Sequence, residues 1–352
     1  MQVTLSLNNI EDYQLFLKIK SLPSYSIRGR TATFPDEYAK SLNLKPDTHR
    51  GRLRYKPSSY LFDYQRDISE LAIRKRKYCI FADCGLGKTA IMLEYARYAA
   101  NHTPKDGAIL IVSPLMVVTQ TLAESTRFYP RLKIDKISAS GLEEWLTEGT
   151  GRIGITNFEA LKPNTNRGRL AGLIVDESSI FKSHYGKWGQ EILRLGKGLE
   201  WKLALSGTPA PNDRVEYANH AVFMDEFPTV NSFCARFFVN KGQVDGRWHI
   251  KPHSVGDFYR ACSHWSIFLT NPATYGWTDN CEKLPPINIH MHDIELTREQ
   301  TDLAYTAEGR LFADKAGGIV HRASMSQLAK GWHKEKLVPT NKPVAIRDLI
   351  DS

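Results

Sequence analysis

Two short stretches hold residue types suited to phosphate chemistry. In Ala82-Asp83-Cys84-Gly85-Leu86-Gly87-Lys88-Thr89, two glycines, a lysine and a threonine fall between an apolar run and a helical pattern. Glycines let backbone N–H groups approach anionic oxygens, and the start of the following helix adds its positive end. In that setting Lys88 reaches the β- and γ-phosphates of ATP, Thr89 coordinates Mg2+, and Gly85 and Gly87 shape the cradle. The first loop position is Ala82 where glycine is usual. The second stretch, Leu173-Ile174-Val175-Asp176-Glu177, ends an apolar run on adjacent carboxylates. One can hold the metal while the other orients and deprotonates an attacking water, so Asp176 is assigned to Mg2+ and Glu177 to the base.

These residues need a rigid frame, and the chain supplies a pattern for one. Apolar runs at 79–82, 108–113, 153–156, 173–176 and 202–206 lack alternation and are separated by helical stretches such as Thr89 to Ala100 and Val117 to Phe128. Strands buried on both faces of a mostly parallel sheet read this way, which predicts an α/β domain of three layers. Residues 1–55 form a smaller α/β module: a strand near Val3 to Leu7, a helix from Ile10 to Leu22 and a strand from Ser26 to Phe34. Residues 56–215 hold the ATP-binding lobe, and 216–285 become aromatic and mainly helical. Residues 286–352 run through a strand-like INIHMHDIEL to a capping box at Thr297–Gln300 and a polar tail.

The 352 residues carry 42% apolar and 24% charged side chains, with a net charge of +9. That is globular composition, and no run approaches the eighteen apolar residues of a membrane span. The start lacks the basic and long apolar regions of a signal peptide, so a cytoplasmic location is expected. Five cysteines without a CxxC pair predict reduced thiols. Residues 1–80 hold fifteen Lys and Arg against eight Asp and Glu. Arg28, Arg30, Lys45, Arg50, Arg52, Arg54, Lys56 and the run Arg74–Lys77 could face phosphates, or could be a solvated face. His249, His253, Cys262 and His264 have metal-ligand chemistry, but Pro252 argues against the helix that would align the first two.

Further residues, in fixed order, resemble the motifs of superfamily-two helicases and translocases, and within them the Swi/Snf-type ATPases. Phe62-Asp63-Tyr64-Gln65 is similar to the Q motif, whose glutamine reads adenine, which would be Gln65 here. The glycine-rich loop matches motif I, Ser113-Pro114-Leu115 with Thr119 resembles motif Ia, and Ile155 to Glu159 resembles motif Ib. Asp176 to Ser179 stands in the DEAD/DEAH position, and Leu205-Ser206-Gly207-Thr208-Pro209-Ala210-Pro211-Asn212 is close to the Swi/Snf form of motif III. The stretch from Asn212 to Pro286 resembles a helical insertion of phage-encoded members.

The resemblance implies a RecA-like P-loop lobe within a two-lobed motor that moves on double-stranded DNA. Ser113, Pro114, Thr156 and Asn157 would then touch nucleic acid, while Ser206 and Thr208 couple nucleotide state to grip. Ser178-Ser179 departs from the usual Ala-Asp, Ala-His or Gly-His ending, and Asp83-Cys84 from the common Glu-Met. The 67 residues from 286 onward contain no further series of buried strands and no QxxGRxxR-like run. A second RecA-like lobe, in trans or in a longer chain, is therefore expected to supply the arginine fingers. A non-catalytic ATP- and DNA-binding half-motor, or a helicase parting RNA or forked DNA, stands as the alternative.

Overall fold

The computed structural model describes residues 1–6, 9–45, 54–182, 186–240, 248–278, 289–311, 326–333 and 336–351. They divide into two compact units, Met1–Glu282 and Lys283–Ser352. In the first, β1 (Gln2–Thr4), α1 (Ile10–Lys20), β2 (Ser26–Arg28) and β3 (Thr31–Thr33) make the N-terminal module. Its antiparallel sheet has the order β1-β3-β2. The single strand expected from Ser26 to Phe34 is a hairpin, because Gly29 takes a positive φ of 58° and reverses the chain. The module docks through Arg236, whose guanidinium donates to the carbonyls of Leu22 and Pro23 and lies 4.8 Å over the Tyr25 ring.

Next come α2 (Asp63–Lys75), β4 (Lys77–Ala82), α3 (Lys88–His102), β5 (Ala108–Ser113), α4 (Leu115–Phe128), β6 (Asp135–Lys136) and α5 (Leu142–Thr147). They are followed by β7 (Ile153–Asn157), β8 (Leu170–Val175), α6 (Lys187–Gly196), β9 (Trp201–Ser206), α7 (Tyr217–Phe223) and α8 (Val230–Phe237). A hairpin of β10 (Phe238–Asn240) and β11 (Trp248–Ile250), then α9 (Val255–Trp265) and β12 (Ser266–Leu269), complete the unit. Seven strands pair in the order β12-β4-β9-β8-β5-β7-β6, all parallel.

Alternation along each strand builds the layers. Cys79 and Phe81 of β4 enter one core with Leu110, Val112, Leu173 and Val175, while Tyr78 and Ile80 enter the other with Ile109, Ile111 and Ile174. Both faces are therefore apolar, as the unbroken runs required. At about 1.5–3 kcal/mol for each fully buried large aliphatic side chain, this burial holds together the frame that carries the loops. The helices α2 and α3 cover one face, and α6 to α9 the other.

The described part of the segment 216–285 holds the helices α7, α8 and α9, with short strands among them. Within it β12 forms the edge strand, pairing Ser266 with Cys79 and Leu269 with Ala82, so the sheet extends past the boundary expected at 215. Ser-Ile-Phe-Leu is too short to signal a strand among so many aromatics. Phe223, Phe233, Phe237, Phe258 and Trp265 are core, packed largely edge to face.

In the second unit Thr297 and Gln300 make the expected reciprocal cap at the start of the helix Arg298–Leu311. Residues 289–296 of the strand-like run are not a strand. A two-stranded hairpin (Trp332–His333 with Lys336–Leu337) and a helix, Lys342–Asp351, follow. Among the described residues no helix is long and apolar enough to cross a membrane.

Candidate nucleotide site and nucleic-acid interface

Register places the chemistry at one edge of the sheet. Phe81 pairs with Ser206, Val175 with Ala204, Val112 with Val175 and Ser113 with Asn157. The strand ends that follow carry the glycine-rich loop, Asp176 with Glu177, and the motif III loop side by side. Ligands of open parallel sheets bind outside such carboxyl ends.

Gly85 and Gly87 take φ of 84° and 67°, which gives the loop its left-handed turns before α3 starts at Lys88. A Cβ at Gly87 would fall 2.2 Å from Nε2 of Gln65, so side chain and loop are in contact there. Gln65 is buried; its Nε2 donates to the Leu86 carbonyl at 3.4 Å and its Oε1 accepts from the Phe62 N–H at 3.0 Å. Tyr64 donates to the same Leu86 carbonyl at 3.1 Å, a second support that the motif reading passed over. Trp277 and Thr278 close the other side of this helix end: the indole N–H donates to Asp67 at 2.7 Å and the Thr278 N–H to Asp63 at 2.8 Å. No periodicity in the sequence pointed to that closure.

Lys88 Nζ donates to the carbonyls of Ala82 (2.9 Å) and Asp83 (3.2 Å), folded back over the loop that phosphate would fill. Thr89, next on α3, is half-buried. Across the cleft Asp176 is 7% exposed. Burial pushes its carboxyl above the ordinary range and the neighbouring Glu177 adds to this, against a hydrogen bond from Ser113. A buried carboxylate beside a second one is the environment a divalent cation relieves, so the donor set fits Mg2+. Glu177 receives the Ser206 hydroxyl at 3.5 Å, and Ser206 Oγ accepts the Thr208 N–H at 3.1 Å. Asp176, Glu177, Ser206 and Thr208 thus form one chain of contacts. Gly207 lines the same cleft: a Cβ there would lie 3.8 Å from Lys88 Nζ and 3.9 Å from Cys84 Sγ.

The nucleic-acid candidates divide. Ser113 is fully buried and donates to Asp176 Oδ2 at 2.9 Å; Thr156 is 1% exposed and donates to the Ile137 carbonyl at 2.9 Å. Their side chains are thus engaged with Asp176 and with the sheet, which leaves their backbone groups as what they could offer a phosphate. Pro114 and Asn157 are half-buried at the strand ends; Asn157 caps the short turn that follows by accepting from the Ala160 N–H at 3.1 Å.

The basic residues divide too. Each member of the Arg74–Lys77 run has an acidic partner: Glu70, Glu37, Glu200 and Asp225 in turn. That run is spent on the lobe's own surface, whereas Arg28, Arg30, Lys45, Arg54 and Lys56 are exposed. Arg50 and Arg52 lie outside the described residues. Among the described residues no group of three or more His, Cys, Asp or Glu gathers as a metal site, and His264 instead faces Glu37 at 3.6 Å.

Cys84 provides a direct test of loop occupancy. It is exposed, whereas Cys79, Cys234 and Cys262 are buried. In a Cys281→Ser background, maleimide labelling of Cys84 followed by mass spectrometry is expected to slow by about tenfold or more under saturating Mg-ATP. Equal rates with and without nucleotide would show that ATP does not cover this edge of the loop.

A glycine-rich loop between a strand and a helix, with an acidic pair at the end of a parallel strand two places along the sheet, defines a P-loop nucleotide-binding lobe of the RecA-like class. The comparisons with known proteins agree. Residues 62–250 match the SNF2-related domain, and the chain belongs to that family. The fold is similar to the SWI2/SNF2 ATPase core of Sulfolobus solfataricus, a structure in complex with dsDNA: TM-score 0.52, 17% identity, covering 85% of this chain and 66% of that one. In sequence the chain is 26% identical over 182 residues to the SWI/SNF chromatin-remodeling complex subunit snf22 of Schizosaccharomyces pombe. That match takes in 47% of this chain and 11% of the subunit.

Proposed function

We propose that this chain is the ATP-binding lobe of a motor that couples ATP hydrolysis to movement along double-stranded DNA. The observation that carries the reading is that the glycine-rich loop, with Lys88 folded over the Ala82 and Asp83 carbonyls, and the contact chain Asp176, Glu177 and Ser206 stand at the same carboxyl ends of the sheet. Lys88 leaves the Ala82 and Asp83 carbonyls to meet phosphate oxygens. Thr89 and Asp176 would hold Mg2+, which would neutralise charge on the phosphates. Glu177 accepts a proton from the attacking water. Ser206 and Thr208 sense the state of Glu177 and pass it to the loop 207–212. Gln65 and Tyr64 set the loop from beneath, with Gln65 at the adenine end.

Double-stranded DNA as the track is supported by the SNF2 family membership and by the Sulfolobus structure, which holds dsDNA. Pro114, Asn157 and the exposed Arg28, Arg30 and Arg54 are the groups offered to it. A second RecA-like lobe, in trans or in a longer chain, completes the cleft. The helix Lys342–Asp351 supports this, since it buries none of its residues although it carries Val344, Ile346 and Ile350.

The test is ATP hydrolysis by the purified 352-residue chain, with and without double-stranded DNA, beside ATP affinity. ATP should bind while turnover stays slow, since an absent arginine finger costs about 10³ to 10⁵ in rate. Failure to bind ATP would overturn the reading. Vigorous DNA-stimulated turnover by the monomer would overturn the need for a second lobe.

A further inference from the structure

Glu177 sits at φ 51°, in the left-handed region that a residue with a long side chain seldom enters. Such a conformation persists only where the surroundings impose it. On one side the Glu177 N–H donates to Asp176 Oδ1 at 3.1 Å. On the other stands Ser178, fully buried, whose hydroxyl lies 3.0 Å from Nε2 of His220 on α7. The imidazole is itself held: it is fully buried, with the Phe81 and Phe181 rings near perpendicular to it at 5.1 and 5.0 Å. Burial pushes its pKa down to about 3, so the ring is neutral at working pH and keeps one donor and one acceptor nitrogen.

The neighbouring residues of α7 extend the grip. Asn219 donates to the Phe181 carbonyl at 2.5 Å, holding the turn that follows Ser178. Glu216, just before α7, accepts from the backbone N–H (3.2 Å) and the side-chain amide (2.8 Å) of Asn212, the last residue of the motif III loop. One short segment, 216–220, therefore fastens both loops that flank the cleft. The direct link between them is the longer Ser206 to Glu177 contact at 3.5 Å.

We infer that His220 is a positioning residue for Glu177: by clamping Ser178 it fixes the left-handed turn that aims the carboxylate, and through α7 it ties that turn to motif III. The inference rests on the reading of Glu177 as the base. It also accounts for Ser178 in place of the usual alanine or glycine, since a hydroxyl is what the imidazole can hold.

The experiment is single-turnover hydrolysis of bound ATP, with ATP affinity measured in parallel, on the full chain. The variants are Glu177→Gln, Ser178→Ala, His220→Met, His220→Gln and the Ser178→Ala/His220→Met pair. Misplacing a reacting group by about 1 Å costs about 10²-fold, so Ser178→Ala and His220→Met should each slow hydrolysis by about that factor with ATP affinity unchanged. The pair should be no slower than the worse single variant, because both remove one contact. His220→Gln, whose amide can still meet the Ser178 hydroxyl, should recover most of the rate. Ser178→Ala removes a single oxygen and decides the matter alone if His220→Met does not fold. Wild-type hydrolysis in Ser178→Ala, multiplied losses in the pair, or a His220→Gln as slow as His220→Met would each overturn the inference. Glu177→Gln separates the two levels: a fast Glu177→Gln removes the assignment of the base itself, whereas a slow one beside a fast Ser178→Ala removes only the role of His220.

Discussion

Lys88→Ala should weaken ATP binding by about 10²-fold or more. Hydrogen bonds to charged groups contribute about 1.5–3 kcal/mol each, and in the proposed site the ammonium would serve two phosphates. At 1.4 kcal/mol per tenfold, losing about 3 kcal/mol gives that factor. The fold should survive, because the ammonium's own partners are the Ala82 and Asp83 carbonyls at the loop, and water can replace it there. Isothermal titration with Mg-ATP and a thermal melt of the same sample check both halves. Unchanged affinity would remove Lys88 from the phosphate site. A collapsed melting temperature would instead make its contact with the loop carbonyls the dominant role.

The parts of this site that were legible in the sequence share one property: their chemistry is encoded by neighbours in the chain. Gly85, Gly87, Lys88 and Thr89 act through backbone shape and adjacent side chains, and Asp176 with Glu177 through the end of a run apolar on both faces. The inner strands were legible for the same reason, since a strand covered on both sides must be apolar at each position. Parity was not legible. Whether Ser113 turns toward Asp176 or toward solvent depends on which face of the sheet one position occupies, and a shift of one residue reverses it. The strand Ser266–Leu269 was hidden because four residues at a sheet edge carry too little pattern to stand out among aromatics. His220 was beyond reach of any motif: its partner lies 42 residues away, and only the packing of α7 against the turn after β8 brings them together.

Glu177→Gln should leave ATP bound and suppress its hydrolysis by about 10² to 10⁴, the range a positioned general base contributes. The substitution is nearly isosteric, so the left-handed turn at φ 51° is no more strained than before and an amide oxygen can still accept the Ser206 hydroxyl. What is lost is the basic oxygen alone. The contrast with Lys88→Ala is the informative part: one variant fails to bind, the other binds and fails to turn over. A filter assay for retained ATP together with single-turnover rates resolves the two. Wild-type rates in Glu177→Gln would remove the base from the mechanism. Loss of binding would mean that this carboxylate belongs with Asp176 in the metal shell, since the charge it brings would then be needed before any water is attacked.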